Sequence, residues 1–351
     1  MTVELWTSGV GLPRSTVRQA RRAEDEGWHG IGLVDSQNLA GDPYVELALA
    51  AGATTTLQLA TAVTNPVTRH PAVAATAIAT VQGESGGRAV LGIGRGDSAL
   101  AHLGLSPAPV SVFERYLERL QGYLRGGEVE FDVATDGAGG VRSSSALGMA
   151  GGPTSSRVRW IRPGQPKVPV DVAATGPKVI AAGARHAERV TFAVGVSPER
   201  IEWAVDLAVS VRADVELGAY VPLLVHPDRD EARRLIAGSV GSYARFSVMH
   251  GSVAGPVSDS QRERLVAVHH AYDMGAHFSH GSPQSQELDD DVIDAFGIAG
   301  PPGYCVEKLL ELEALGIRRV FVMGAGIGLD REEASASRAR FVAEVLPAVR
   351  G

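Results

Sequence analysis

Eight short runs of apolar, mostly β-branched residues, each followed by a stretch of helical periodicity, constrain this chain more than any other feature. The runs fall at 3–10, 30–34, 57–62, 89–92, 168–173, 189–194, 217–225 and 318–323. Apolar strands separated by helices read as parallel strands covered on both faces. Eight βα units is the count that closes a barrel. The expected fold is therefore α/β, a (β/α)8 TIM barrel. At 351 residues the chain exceeds the roughly 250 of a plain barrel, so insertions are expected. We read 1–351 as a single barrel domain with insertions at about 126–166, rich in Gly, Ser and Pro, and about 249–302.

Helix punctuation agrees with this layout. Ser15 is expected to cap a helix that carries Val17, Ala20 and Ala23 and stops at Gly27. Ser111-x-x-Glu114 has the capping-box pattern, and Asp330-x-x-Glu333 opens the last helix. Gly316 reads as the glycine that ends a leucine-rich helix before the last strand. Cys305 falls at the start of that helix and reads as a buried, unreactive thiol.

Charge and cysteine usage exclude several classes. Lys and Arg number 33 against 40 Asp and Glu, a net charge of −7, without the basic surplus of a nucleic-acid or anionic-membrane binder. One cysteine supports neither a disulfide framework nor a Cys-rich metal site. No apolar run reaches the roughly 18 residues of a membrane span, and MTVELWTSG lacks signal-peptide character. The expectation is a soluble, cytoplasmic protein. His269, His270, His277 and His280 cluster in sequence without an HExxH pattern. No metal is expected: the cluster reads as insertion surface or substrate-pocket lining, with a metal-dependent barrel hydrolase as the alternative.

Barrels bind ligands on the loops that follow their strands. Here those loops begin with Asp35-Ser36-Gln37-Asn38, Thr64-Asn65-Pro66-Val67-Thr68-Arg69-His70-Pro71, Gly92-Ile93-Gly94-Arg95-Gly96-Asp97, Thr175-Gly176-Pro177-Lys178 and Gly195-Val196-Ser197-Pro198. Thr175-Gly176-Pro177-Lys178 has two readings: an ordinary capped βα turn, or a helix start whose free N–H groups and Lys178 attract phosphate. The glycine repeats at 92–96 and 324–328 are not dinucleotide fingerprints. The first is not followed at once by a helix, and too little chain follows the second.

Four stretches, in order along residues 1 to about 200, resemble the bacterial-luciferase-like superfamily. They are Asp42-Pro43-Tyr44-Val45, the segment Thr64 to Pro71, Ser85-Gly86-Gly87-Arg88 leading to Leu91–Asp97, and Ala174-Thr175-Gly176-Pro177-Lys178. Within it the chain looks most like the coenzyme-F420-dependent branch typified by methylenetetrahydromethanopterin reductase. The resemblance implies a barrel with its main insertion between the seventh and eighth strands, and a deazaflavin or flavin ring in the mouth. It implies a phosphate site at Thr175, Gly176, Pro177, Lys178 and Val179 and at Gly195 and Val196. It implies contacts to the polar ring edge from Asp35, Ser36, Gly94 and Asp97, and a non-prolyl cis peptide between Ala62 and Val63. Where some relatives have His after the strand-two aspartate, this chain has Ser36. Where the reductases often carry a Glu in the first strand, it has Trp6, with Glu4 two residues earlier.

The expected function is F420-dependent hydride transfer to or from an imine, an activated methylene or a carbonyl. Asp97 is the expected acid/base, Asp35 the residue that orients ring or substrate, and His70 either pocket-facing or structural. The alternatives are an FMN-dependent luciferase-like monooxygenase and a non-catalytic F420- or flavin-binding protein. The partner is a small molecule. The resemblance also implies a homodimer or higher homo-oligomer.

Overall fold

Strands with few polar side chains must bury both faces, and here they do so by closing on themselves. The structure is a computed structural model that describes residues 3–132, 144–161 and 164–350. Among the described residues, the closed sheet consists of β1 (Glu4–Gly9), β2 (Gly30–Leu33), β3 (Gln58–Thr61), β4 (Ala89–Ile93), β7 (Val170–Ala174), β8 (Arg189–Phe192), β9 (Glu216–Val225) and β11 (Arg319–Met323). All pairings in it are parallel, and β11 returns to β1 with Phe321 opposite Trp6. The expected eight-stranded barrel is present, with strand ends within two residues of the predicted ones.

Inside the barrel, Trp6 is fully buried, its ring 5.0 Å from that of Phe321, and Tyr220 stacks on Phe321 at 5.0 Å. Trp6 thus plugs the barrel rather than facing a ligand, and Ser8, two residues on, lines the mouth from the same face of β1. Near the strand starts, Arg319 donates to Asp171 at 3.0 Å, and Thr191 donates to the same carboxylate at 2.8 Å. Leu47, Ile78, Leu117, Ile180, Ile201 and Leu309, on the surrounding helices, belong to the core outside the barrel.

Two expected caps are not made. Ser15 has helical backbone and its Oγ accepts from Gln19, while Thr16 Oγ1 accepts from the Leu12 N–H. Ser111 lies inside the helix Val110–Leu124, which begins directly after Pro109. Asp330 does cap Arg331–Arg340 through the N–H groups of Glu332 and Glu333. Gly316, at φ +96°, follows the helix Pro302–Ala314 as expected. Cys305 is buried in that helix, and burial pushes its thiol up to about 12.

The first insertion contains the antiparallel pair β5 (Val129–Glu130) and β6 (Ser155–Ser156) and a short turn of helix at Ser144–Leu147. The second is built more firmly. The helix Asp259–Ala271, closed at its start by a capping box of Ser258 and Gln261, packs with Asp290–Phe296 on the helix Arg229–Phe246. Leu235, Ile236, Val240, Leu265, Val292 and Phe296 form a second apolar core there. The insertion ends in β10 (Ile298–Gly300), which pairs in parallel with the far half of β9, Ile298 opposite Leu223.

Candidate active site at the barrel mouth

The loops after the strands and the second insertion enclose a cavity of about 1360 Å³ at the strands' C-terminal ends. Ala62, Val63, Gly94, Ala173, Ala174 and Ala193 line it with small side chains, and the Ala62–Val63 peptide is cis. A Cβ built on Gly94 would lie 3.3 Å from Val63 Cγ2, so this wall is closely shaped.

The polar edge begins after β2. Asp35 is buried, and its carboxylate accepts from Gln37 at 2.6 Å, Thr64 at 2.7 Å and Arg69 at 2.6 Å. Burial raises its carboxyl above the ordinary aspartate value despite these donors. Arg69 also reaches Asp42 at 2.6 Å and lies 4.7 Å over the Tyr44 ring. Asp42 in turn caps the helix Pro43–Ala51. Two of the sequence stretches, 42–45 and 64–71, are therefore one network that holds Asp35 in place. Asn65 lines the cavity and is buried. Its Oδ1 accepts from Val67 and Thr68, while its Nδ2 has no partner. A buried donor without an acceptor is costly, so this one fits an acceptor atom of a bound ring.

After β7, the helix Pro177–His186 starts with no side chain capping it. Thr175, Gly176, Pro177, Lys178 and Val179 all line the cavity. In the first turn Pro177 has no N–H and Val179 donates to the Gly176 carbonyl at 3.0 Å, so Lys178 offers an anion its backbone N–H and its side chain at the positive end of the helix. Gly195 and Val196 do not line the cavity. The Val196 N–H donates to Ala295 O at 2.8 Å, and Gly195 lies against the same carbonyl. The second insertion has taken up the backbone donor that the resemblance assigns to a phosphate.

Ser36 and Asp97 line the cavity, and Asp97 forms an ion pair with Arg245 from the helix Arg229–Phe246. His70 is not among the lining residues. It caps the helix Pro71–Glu84, with Nδ1 accepting from Ala72 N–H at 3.1 Å, which is its local reason for standing before a proline. The His269–His280 segment divides. His269 and His270 adjoin on a helix, and His277 lines the cavity. Sequence reasoning missed Ser8, Asn65, Tyr243 and Arg245 as lining or supporting residues, whereas pocket lining was one of its readings of the cluster that holds His277. Asn65 was visible inside a quoted stretch, whereas Arg245 meets Asp97 only through the fold.

The fold and this mouth define an α/β barrel with a large cavity at the C-terminal ends of its strands, walled by small side chains and edged by polar ones. The chain belongs to the luciferase-like monooxygenase family, whose profile matches residues 4–319. It is 27% identical to 5,10-methylenetetrahydromethanopterin reductase of Methanopyrus kandleri, with 92% of each chain covered. It is 29% identical to the reductase of the same name from Archaeoglobus fulgidus, with 89% of each covered. A solved coenzyme F420 dependent tetrahydromethanopterin reductase from M. kandleri superposes with a TM-score of 0.73 at 25% identity, covering 99% of both chains. An F420-dependent secondary alcohol dehydrogenase in complex with an F420–acetone adduct shares the fold, with a TM-score of 0.69 at 17% identity and full coverage.

Proposed function

We propose that the chain is an F420-dependent oxidoreductase that moves a hydride between the deazaflavin ring and a small organic substrate. The observation that carries this reading is the uncapped helix start at Gly176–Lys178 opening on the same cavity as the unpartnered Asn65 donor and the buried Asp35. One end offers charge for a phosphate, and the other offers donors and acceptors for a ring edge. The likeness to the two reductases supports the choice of cofactor.

When bound, F420 supplies two-electron hydride chemistry. The chain's own residues do the rest. Lys178 and the helix start hold the phosphate. Ala62, Val63, Gly94 and Ala173 support one face of the ring, while Asp35, Ser36 and Asn65 set its edge. The surrounding loops exclude water and hold donor and acceptor carbon at contact distance. The substrate is an imine, an activated methylene or a carbonyl compound. We also propose a cytoplasmic homodimer or higher homo-oligomer, the assembly being supported by exposed Val45, Leu49 and Val73 on two adjoining helices.

The test is a fluorescence titration of the protein with F420 and with FMN. Saturable F420 binding that weakens about tenfold in Lys178→Ala, roughly the value of one charge-assisted contact, is the expected result. FMN binding without F420 binding would overturn the reading and favour an oxygen-dependent luciferase-like reaction.

A further inference from the structure

The side of the cavity under the second insertion has its own chemistry. Tyr243, Phe246, Met249, Met274, Phe278 and Ile327 give it an apolar lining. Tyr243 meets Phe246 and Phe278 edge-on, each at 5.6 Å. The charges at its edge, Asp97 and Arg245, neutralise each other, and the Arg245 guanidinium lies 4.5 Å over the Tyr272 ring. A ligand group meeting this pair finds its charges already matched, and burying a charge without a partner is costly.

Among the described histidines that line the cavity, His277 has its ring oriented by a hydrogen bond from behind. Its Nδ1 is hydrogen-bonded to the Tyr272 hydroxyl. Tyr272 donates to Ser242 Oγ at 3.4 Å, and Ser242 donates to the Gly238 carbonyl at 3.4 Å while accepting from Phe278 N–H at 2.9 Å. A phenol has one proton to give. With that proton on Ser242, the ring proton of His277 sits on Nδ1, and the Nε2 lone pair is left open. Nε2 has no partner among the described residues. The backbone is pinned as well. Phe278 sits at φ +59°, a region bulky residues avoid. Its carbonyl accepts from Ile327 N–H at 2.7 Å, and His280 N–H donates to Ile327 O at 2.8 Å.

We propose that His277, held by Tyr272, accepts the proton of the substrate hydroxyl, and that the substrate is an uncharged hydroxyl compound with an apolar body. This rests on the hydride-transfer reading given above. In the oxidative direction the carbinol C–H bond breaks and its hydride, with both electrons, passes to oxidised deazaflavin. The O–H proton moves to His277 Nε2 and the C=O bond forms, so the substrate is oxidised and the deazaflavin reduced. Asp97 is committed to Arg245 and takes no part in the transfer. Burial draws His277 down to about 4, which keeps Nε2 unprotonated at neutral pH. The groups whose charge acts on it are Asp97, Arg245 and His102, with the phenol of Tyr272 beside it.

The test needs no natural substrate. The protein is treated with 2-bromoacetophenone, a neutral aryl haloketone, or with bromoacetate, its charged counterpart, and labelled peptides are mapped by mass spectrometry. Alkylation of His277 by the haloketone is expected to be at least about tenfold faster than by bromoacetate, and flat from about pH 6 to 8. Tyr272→Phe, which frees the ring, should slow it by about tenfold, the scale of lost orientation, and Ser242→Ala should slow it less. Labelling of His102, His250 or Met249 in place of His277, or equal labelling by bromoacetate, would overturn the proposal. The F420 titration separates the two readings. Binding of F420 without His277 labelling removes this inference alone. Selective labelling without F420 binding overturns the cofactor assignment and, with it, the proton transfer proposed here, leaving only a reactive His277 nitrogen.

Discussion

Asp35 shows how one side chain can be read from sequence while its neighbours are not. A carboxylate directly after an apolar strand is conspicuous, so Asp35 and Asp97 were both legible. Their partners were not, because Arg69 arrives 34 residues later and Arg245 148 residues later. His70 attracted attention for the same positional reason as Asp35, yet its ring is spent on a helix cap. Replacing Asp35 with Ala leaves Arg69 only Asp42 as a counter-charge. The expected loss is about 3 kcal/mol, the low end for a broken buried pair, read as a lower urea midpoint with unchanged slope. A second residue ties stability to pH. Burial tends to raise the Glu24 carboxyl, but the N–H groups of Thr55, Thr56 and Leu57 outweigh it and hold the group at about 2, against 4.5 ordinarily. The folded state therefore gains from ionised Glu24 above about pH 4.5 and loses that gain as pH falls toward 2. Glu24→Gln should flatten the drop in urea midpoint between pH 5 and 3.

At the level of single elements, the glycine patterns set aside as nucleotide loops have reasons of their own. The two glycine repeats look like nucleotide loops, but Gly92 in the first and Gly326 in the second serve close packing. A Cβ on Gly92 would stand 2.0 Å from the Thr61 carbonyl oxygen, where β3 and β4 meet. Gly326, at φ +99°, would place its Cβ 2.3 Å from the Phe278 carbonyl. Gly326→Ala should push the 277–280 segment off its loop and lower thermal stability by several degrees, the effect of a few kcal/mol in a chain of this size. Limited proteolysis should then cut between residues 272 and 282, where the native protein resists. The barrel strands were legible because each is a nearly unbroken apolar run. β10 was not, since three residues are too few to show a period. Two helix starts failed for a related reason: at Ser15 and Ser111 neighbouring residues and a proline decided the geometry that a capping pattern only permits.

On the scale of the molecule, the exposed Val45 (59%), Leu49 (52%) and Val73 (55%) form the ground for the proposed assembly. Leu49→Asp is expected to shift the protein to a monomer by light scattering with its circular dichroism unchanged. An unaltered mass in that variant would move the interface elsewhere. The parallel barrel itself was the most legible property of the sequence, because alternation survives uncertainty at every boundary. The roof over the site was the least legible, being made of short helices whose apolar positions face one another. That roof ends in β10, hydrogen-bonded along the far half of β9. The consequence is one of modularity. Residues 249–297 cannot be exchanged between relatives as a detachable cassette, because their last turn feeds a strand that completes the wall beneath them. A chimera joined at 297 would splice a foreign roof onto a native wall edge. One joined within 301–302, carrying β10 along, would keep roof and wall in register.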